Sequence, residues 1–409
     1  MAELNETPRG NRIHIAFFGL RNAGKSTLVN AFTGQNIAIV SDVPGTTTDP
    51  VSKAMEILPL GPCLITDTAG LDDVGELGEM RVRKTLKVLE TVDIAVWVWG
   101  KMDGSISDKR SGDRFPAFAA ECRKRGTVVI EYNRGDSVEE LKKRIAAVKL
   151  EEKVPGLLDG LVEKGDRVLC VVPIDESAPK GRLILPQQQI IRECLDKGLV
   201  VTVCQPNEVQ GLRLKVQGSG FVLPFDLVIT DSQAFGTVKG LLPAPATRGA
   251  SGTVVRLTSF SILFARQKGD LKEYVKGLEA IGSLKDGDTV LVAEGCTHHR
   301  QCNDIGTVKI PKALETLSGK KLKFEFASGG EFPDFCASLT SGRETASPLF
   351  HPSLVVHCGG CMLTRREMQR RIAQAREAGV PIVNYGLVLA KASGIDIENL
   401  IFAELTANN

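Results

Sequence analysis

The chain carries almost no net charge, contains no apolar run long enough to span a membrane and lacks the dense cysteine pattern of a disulfide scaffold. Each absence removes a class of function. Its 51 basic and 49 acidic residues leave a formal charge of +2, too little to steer the whole molecule, so neither nucleic acid nor a membrane is an expected partner. The stretch Met1 to Arg12 is polar and carries no apolar leader, and ten cysteines in 409 residues are too few for a secreted scaffold. Together these point to a reducing, cytoplasmic setting. No internal repeat or low-complexity tract interrupts the chain. What remains is 43% hydrophobic and 24% charged, the balance of a folded, water-soluble protein, and long enough for two or three domains.

Short apolar runs alternate with helical stretches throughout, which predicts α/β folding with mainly parallel sheets. Ile13 to Gly19, Cys63 to Asp67, Ile94 to Trp99 and Thr127 to Tyr132 read as strands of a first domain, 1–165. Val168 to Val172, Val200 to Cys204 and Leu227 to Thr230 belong to a second, 166–268, with a helix entered at Pro186. Thr289 to Val292, Leu322 to Phe326, Leu354 to Val356 and Pro381 to Asn384 belong to a third, 269–409. Cysteines 63, 122, 170, 194 and 204 stand singly and read as packing residues.

The first domain carries a phosphate loop. Gly19-Leu20-Arg21-Asn22-Ala23-Gly24-Lys25-Ser26 follows a strand and precedes a helix, which is the context this motif requires. Backbone N–H groups from Asn22, Ala23, Gly24 and onward to Thr27 would cradle phosphate oxygens. Lys25 would reach the β and γ phosphates and Ser26 would ligate Mg²⁺. Asp67-Thr68-Ala69-Gly70 supplies an aspartate toward the Mg²⁺ shell and a glycine N–H toward a γ-phosphate. Between the two lies Pro44-Gly45-Thr46-Thr47-Thr48-Asp49, whose Thr46 and Thr47 offer the nucleotide site a switch hydroxyl, Thr47 being the metal ligand expected. Lys25, Thr47, Asp67 and Gly70 are thus the expected catalytic group.

Base selection falls to Asn133-Arg134-Gly135-Asp136, where Asn133 and Asp136 would read guanine and Arg134 replaces the usual lysine. Ser137 and Glu140 form a capping box just after it. The segment from Asp136 to Val168 is short for a last strand, a last helix and a further guanine loop. Asn22 occupies a position where potassium-stimulated GTPases also carry asparagine, so K⁺ is an expected cofactor. Leu71 follows Gly70 where a glutamine would orient water, which predicts slow intrinsic hydrolysis. Asp72, Asp73 and Glu76 read as a solvated switch loop.

A second constellation lies near the end of the chain. Cys296-Thr297-His298-His299 follows one predicted strand and His357-Cys358-Gly359-Gly360-Cys361 closes another. Strand carboxyl ends of an open parallel sheet share one edge, so Cys296, Cys358 and Cys361 can meet there with a histidine or an open position. Thr364 and Glu367 cap a following helix whose N-terminus favours thiolates. Zinc or an iron-sulfur cluster would suit these ligands equally. His299, Cys302, Cys336 and His351 read as bystanders, and Arg365, Arg366, Arg370 and Arg371 as a solvated helix face.

Taken together, Gly-Leu-Arg-Asn-Ala-Gly-Lys-Ser, Pro-Gly-Thr-Thr-Thr-Asp-Pro, Asp-Thr-Ala-Gly, Cys-Thr-His-His and His-Cys-Gly-Gly-Cys resemble the HydF family of FeFe-hydrogenase maturation GTPases. The likeness extends over about residues 8–390. It implies a P-loop GTPase domain, a dimerisation domain and a domain binding a 4Fe-4S cluster through Cys296, Cys358 and Cys361, with His298 as candidate fourth ligand. It also implies self-association and a scaffold role, receiving a di-iron precursor made with the radical-SAM maturases HydE and HydG and delivering it to apo FeFe-hydrogenase. A tRNA- or ribosome-directed GTPase with structural zinc, and a nucleotide-switched binding protein with little turnover, are the alternatives.

Overall fold

The structure is a computed structural model that describes residues 7–34, 50–73, 76–100, 106–150, 155–174, 183–212, 214–216, 220–222, 224–242, 255–296, 304–329, 332, 333, 335 and 350–395. The chain divides into two compact units, Met1–Lys153 and Val154–Asn409. Both are α/β with mainly parallel sheets. Among the described residues no helix is long and apolar enough to cross a membrane.

The first unit contains β1 (Ile13–Phe18), β2 (Val51–Ile57), β3 (Gly61–Asp67), β4 (Ile94–Val98) and β5 (Val128–Tyr132) in the order β2-β3-β1-β4-β5. Only the edge strand β2 runs antiparallel, against β3. β1 and β4 are buried almost throughout, which is why they read as unbroken apolar runs rather than alternating ones. One face packs Phe17, Phe32 and Ile145, and the other Phe18, Trp97 and Phe118. Helix Val138–Ala146 starts where the capping box predicts, the Ser137 hydroxyl accepting from the Glu140 N–H. No strand of this unit follows that helix among the described residues, in keeping with the short segment there.

The second unit contains β6 (Arg167–Val171), β7 (Val200–Cys204), the hairpin β8 (Leu214–Val216) and β9 (Gly220–Val222), β10 (Leu227–Thr230) and β11 (Arg256–Ser259). These are followed by β12 (Thr289–Ala293), β13 (Lys323–Ala327), β14 (Leu354–His357) and β15 (Ile382–Asn384). Two four-stranded parallel sheets result, ordered β11-β10-β6-β7 and β13-β12-β14-β15. Their cores are continuous: Phe260, Ile262 and Leu263 belong to the same buried cluster as Val292, Val356 and Leu387. Helix Phe260–Lys268 leaves β11 at once, its start fixed by the Ser259 hydroxyl accepting from the Ile262 N–H. Cys63, Cys122, Cys170 and Cys194 are buried and Cys204 half-buried, all with burial raising their thiols, as packing residues should.

Candidate functional site

The phosphate loop leaves the buried carboxyl end of β1. Gly19 has φ +152°, and a Cβ there would lie 2.5 Å from the Val98 carbonyl oxygen, so only glycine passes. Gly24, at φ +92°, turns the chain into helix Lys25–Thr33 and aims its free N–H groups at the loop. Lys25 is 7% exposed, and its ammonium donates to the carbonyls of Gly19 (3.3 Å) and Leu20 (2.8 Å). Burial lowers its pKa, opposed by the charges of Asp67, Asp72 and Asp73.

The Ser26 hydroxyl donates to Asp67 Oδ2 at 2.6 Å. Asp67 is fully buried and, among the described residues, its Oδ1 has no hydrogen-bond partner. Burial raises that carboxyl, opposed by the serine bond and by Lys25. A buried, unsatisfied carboxylate oxygen is costly unless something completes it. With a serine hydroxyl and a lysine beside it, the oxygen donors fit Mg²⁺ and a phosphate chain.

The segment after Asp67 lies against the phosphate loop. A Cβ on Gly70 would sit 2.7 Å from the Arg21 nitrogen, the Leu71 N–H donates to the Gly19 carbonyl at 3.3 Å, and the Arg21 N–H donates to Asp72 Oδ1 at 2.6 Å. Arg114 holds the Leu71 carbonyl at 2.6 Å. Asp73 corrects the solvated-loop reading: its side chain is 5% exposed and pairs with Arg21 (3.6 Å) and Arg81 (3.5 Å). Two guanidiniums from different segments make that burial tolerable. Thr46, Thr47 and the Glu76 side chain lie outside the described residues.

In the candidate base-reading loop, Asp136 Oδ2 accepts from the Asn133 N–H (2.9 Å) and Asn133 Nδ2 (3.3 Å), while the Tyr132 hydroxyl donates to the Asp136 carbonyl (2.8 Å). One carboxylate oxygen thus closes the loop. The residue itself is exposed at the carboxyl end of β5, the same sheet edge that β1 gives to the phosphate loop.

In the second unit, β12 and β14 are adjacent and parallel, with Ala293 opposite His357. Cys296 and Cys358 therefore leave neighbouring strands at one edge. The Cys358 N–H continues the ladder to the Ala293 carbonyl at 3.0 Å, and its sulfur accepts from the N–H groups of Gly295 (3.1 Å) and Gly360 (3.4 Å). Gly360 has φ +65°, and a Cβ on Gly359 would lie 3.1 Å from the Ser261 backbone. Thr364 then caps helix Arg365–Glu377 through the Glu367 N–H.

Burial pushes the Cys296 thiol up to about 12, helped by Cys358 and Cys361, and the Cys358 thiol up to about 11, helped by Cys361. Burial also raises Cys361, against the charge of Lys268. The thiols thus act on one another electrostatically and are protonated at neutral pH; a metal would have to displace those protons. Among the described residues no three Cys, His, Asp or Glu side chains are arranged to hold a metal ion as they stand. Soft donors from adjacent strand ends, N–H groups aimed at sulfur and a glycine loop that admits close approach are nonetheless the chemistry an iron-sulfur cluster requires. His298, His299, Cys302 and Cys336 lie outside the described residues, whereas His351 is exposed and bonds the Ala378 carbonyl, away from the cysteine loop.

The arginine face is only partly solvated: Arg365, Arg366 and Arg370 are half-buried. Arg371 is 1% exposed. Its Nε donates to Glu367 (2.9 Å), its Nη1 to His357 Nε2 (3.0 Å) and its Nη2 to the Gly329 carbonyl (2.5 Å), with the guanidinium 5.0 Å from the Phe332 ring centroid. Arg370 pairs with Glu367, and Arg365 holds the Gln267 carbonyl. Because arginine only donates, His357 Nε2 must accept, leaving the Nδ1 proton for the Cys358 carbonyl at 2.8 Å. Burial, then Arg371, pushes this imidazole down to about 3. It is a neutral strut behind Cys358. The signal was the spacing of Glu367, Met368, Arg371, Ile372 and Ala375, which is one helix face.

Residues 14–130 match the model for the 50S ribosome-binding GTPase, 157–269 that for the hydrogen maturase F dimerization domain and 272–400 that for the hydrogen maturase F tetramerization domain. Among curated proteins, the tRNA modification GTPase MnmE of Bacteroides thetaiotaomicron is 31% identical over 134 residues, 32% of this chain and 28% of that protein. GTPase Der of Clostridium kluyveri is 27% identical over 233 residues, 52% of this chain and 50% of that one. The chain therefore spans half or less of these relatives. Among solved structures, Aquifex aeolicus Era matches 79% of this chain and 94% of its own, at 15% identity and TM-score 0.25.

Proposed function

Because this chain belongs to the hydrogen maturase F family, we propose that it is a GTP-hydrolysing maturation factor that carries a 4Fe-4S cluster and serves as scaffold for a di-iron precursor bound for apo FeFe-hydrogenase. The observation that carries this reading is the pairing of β12 with β14, which delivers Cys296 and the Cys358–Cys361 loop to one sheet edge. Cys296, Cys358 and Cys361 would hold the cluster, and His298 is the candidate fourth ligand. When bound, the cluster supplies redox-active iron with one corner free of thiolate. HydE, HydG and the apo-hydrogenase are the proposed partners, in a cytoplasm reducing enough to keep the thiols free.

In the first unit, Lys25 and Ser26 would bind Mg-GTP together with Asp67, Thr46 and Thr47, and Asn133 and Asp136 would select guanine. Asn22, at φ +62° in the loop, would help to hold a K⁺ ion beside the phosphates. Hydrolysis would be slow, since Leu71 offers no side chain to orient water, and nucleotide state would gate release of the precursor. We assign 1–165 to the GTPase domain, 166–268 to dimerisation and 269–409 to the cluster. The dimer contact falls best at β7: this edge strand carries no charge and exposes Val200 (50%) and Val203 (43%). The edge β13, by contrast, carries Lys323 and Glu325, which discourage pairing.

The test is hydrogenase activation and iron content across Cys296→Ser, Cys358→Ser, Cys361→Ser and His298→Ala. The three serine variants should lose iron and activation, because an alcohol is a poor soft ligand. His298→Ala should keep its iron and change only the magnetic spectrum. Full iron with normal activation in Cys358→Ser would overturn the assignment.

A further inference from the structure

Lys268 ends helix Phe260–Lys268 and is 2% exposed. Its ammonium donates to the carbonyls of Gly360 (3.3 Å), Cys361 (3.1 Å) and Leu363 (2.7 Å) and lies 5.4 Å from the Phe264 ring centroid. All three protons are thus directed at the segment that carries Cys361. The lysine is itself fixed in place: Gln369 Nε2 donates to the carbonyls of Lys268 (3.0 Å) and Gly269 (2.8 Å), and Arg365 holds that of Gln267. On the same helix, Ser261 meets Gly359 closely: a Cβ there would lie 3.1 Å from its backbone, a tight contact.

A buried ammonium held by neutral carbonyls has its hydrogen bonds satisfied but its charge uncompensated. Among the described residues it forms no ion pair with a carboxylate, and the groups acting electrostatically on it are Cys361 and Cys358. We propose that Lys268 is a positioning residue for the cysteine loop and the interior counter-charge of the iron-sulfur cluster. This rests on the reading that Cys358 and Cys361 are ligands. A fixed cation close to two ligand thiolates favours the more negative, reduced state of the cluster and so raises its potential. It also ties the loop to the last helix before residue 270, so a shift of that helix would reach the ligands directly.

The experiment compares the native chain with Lys268→Met, which keeps an unbranched stem without the charge, and Lys268→Arg, which keeps the charge. Each protein is reconstituted with iron and sulfide and titrated redox-wise under spin-resonance detection, and cluster loss to a chelator is timed. Lys268→Met should have a more negative midpoint potential and lose iron roughly ten-fold faster, with Lys268→Arg returning the potential toward native. A native potential and native loss rate in Lys268→Met would overturn the proposal. If the native chain takes up no iron-sulfur cluster, the ligand reading fails separately. Amide exchange over 358–364 in the metal-free proteins then decides the positioning role: faster exchange in Lys268→Met supports it and unchanged exchange ends it.

Discussion

Two buried lysines, one in each unit, make the same bonds in different company. Lys25 and Lys268 both direct their ammonium protons to main-chain carbonyls of a glycine-containing loop at a sheet edge. Lys25 has three aspartates within electrostatic range, whereas Lys268 has two thiols that are neutral until they ionise. The first is a cation whose charge is already balanced and that can turn toward a phosphate chain without leaving unpaired charge behind. The second has no carboxylate partner among the described residues, and on the proposed reading its charge would be met by the cluster. The Lys25 ammonium is thus balanced by carboxylates of the chain itself, whereas that of Lys268 faces groups that carry charge only once they ionise.

The sharpest way to break that contrast is to remove a strut. Arg371→Met leaves His357 Nε2 without its donor and Glu367 with Arg370 alone, and breaking a buried pair by deleting one partner typically costs about 3–5 kcal/mol. Thermal unfolding should show that loss in the second unit while nucleotide affinity is unchanged; a stability within about 0.5 kcal/mol of native, the usual effect of a surface change, would show that the network does not support the loop. The same pair sets a pH signature. Burial would raise the Glu367 carboxyl, but Arg370 and Arg371 outweigh it and hold it below the ordinary value. A carboxyl depressed in the folded state contributes stability above its unfolded pKa of about 4.3 and loses it as pH falls through the folded value. Native protein should therefore lose stability below about pH 4.3 more steeply than Arg371→Met.

Lys25→Ala is the matching change in the other unit. It removes charge-assisted bonds worth about 1.5–3 kcal/mol each, so the Kd for Mg-GTP measured by fluorescent nucleotide titration should rise roughly ten- to a hundred-fold. Iron content should stay native, and equal loss of iron in a folded variant would contradict independent sites. A smaller effect is expected from Asp136→Asn. Guanine's donors lose their acceptor, eroding GTP-over-ATP selectivity about ten-fold. Equal affinity for both nucleotides in native protein would show that the Asn133–Asp136 loop, one oxygen of which is already used in closing itself, does not read the base.

The nucleotide half was readable because its chemistry lies within contiguous spacings: strand, glycines, Lys25 and Ser26 in one run, with Asp67 at the end of the next buried strand. The adjacency of Cys296 and the Cys358 loop followed from strand-end logic, although one predicted strand, Leu322 to Phe326, lies a residue from the observed Lys323–Ala327. Arg371 was misread because four arginines in one helix look like a solvated face, and the decisive partner, His357, sits on a different element. Lys268 gave no signal at all. Its acceptors lie 92 to 95 residues away, and nothing local distinguishes it from any basic residue at a helix C-terminus. Asp73 escaped for the same reason, since its burial depends on Arg21, far back in the chain.

Whether the sheet edge shared by β12 and β14 holds an iron-sulfur cluster is decided by anaerobic purification with joint metal, acid-labile sulfide and spin-resonance analysis. The native chain should hold about four iron and four sulfide and give a reduced-cluster signal, all three absent in Cys358→Ser. Stoichiometric zinc without sulfide in the native protein, or an unchanged cluster in that variant, would contradict it.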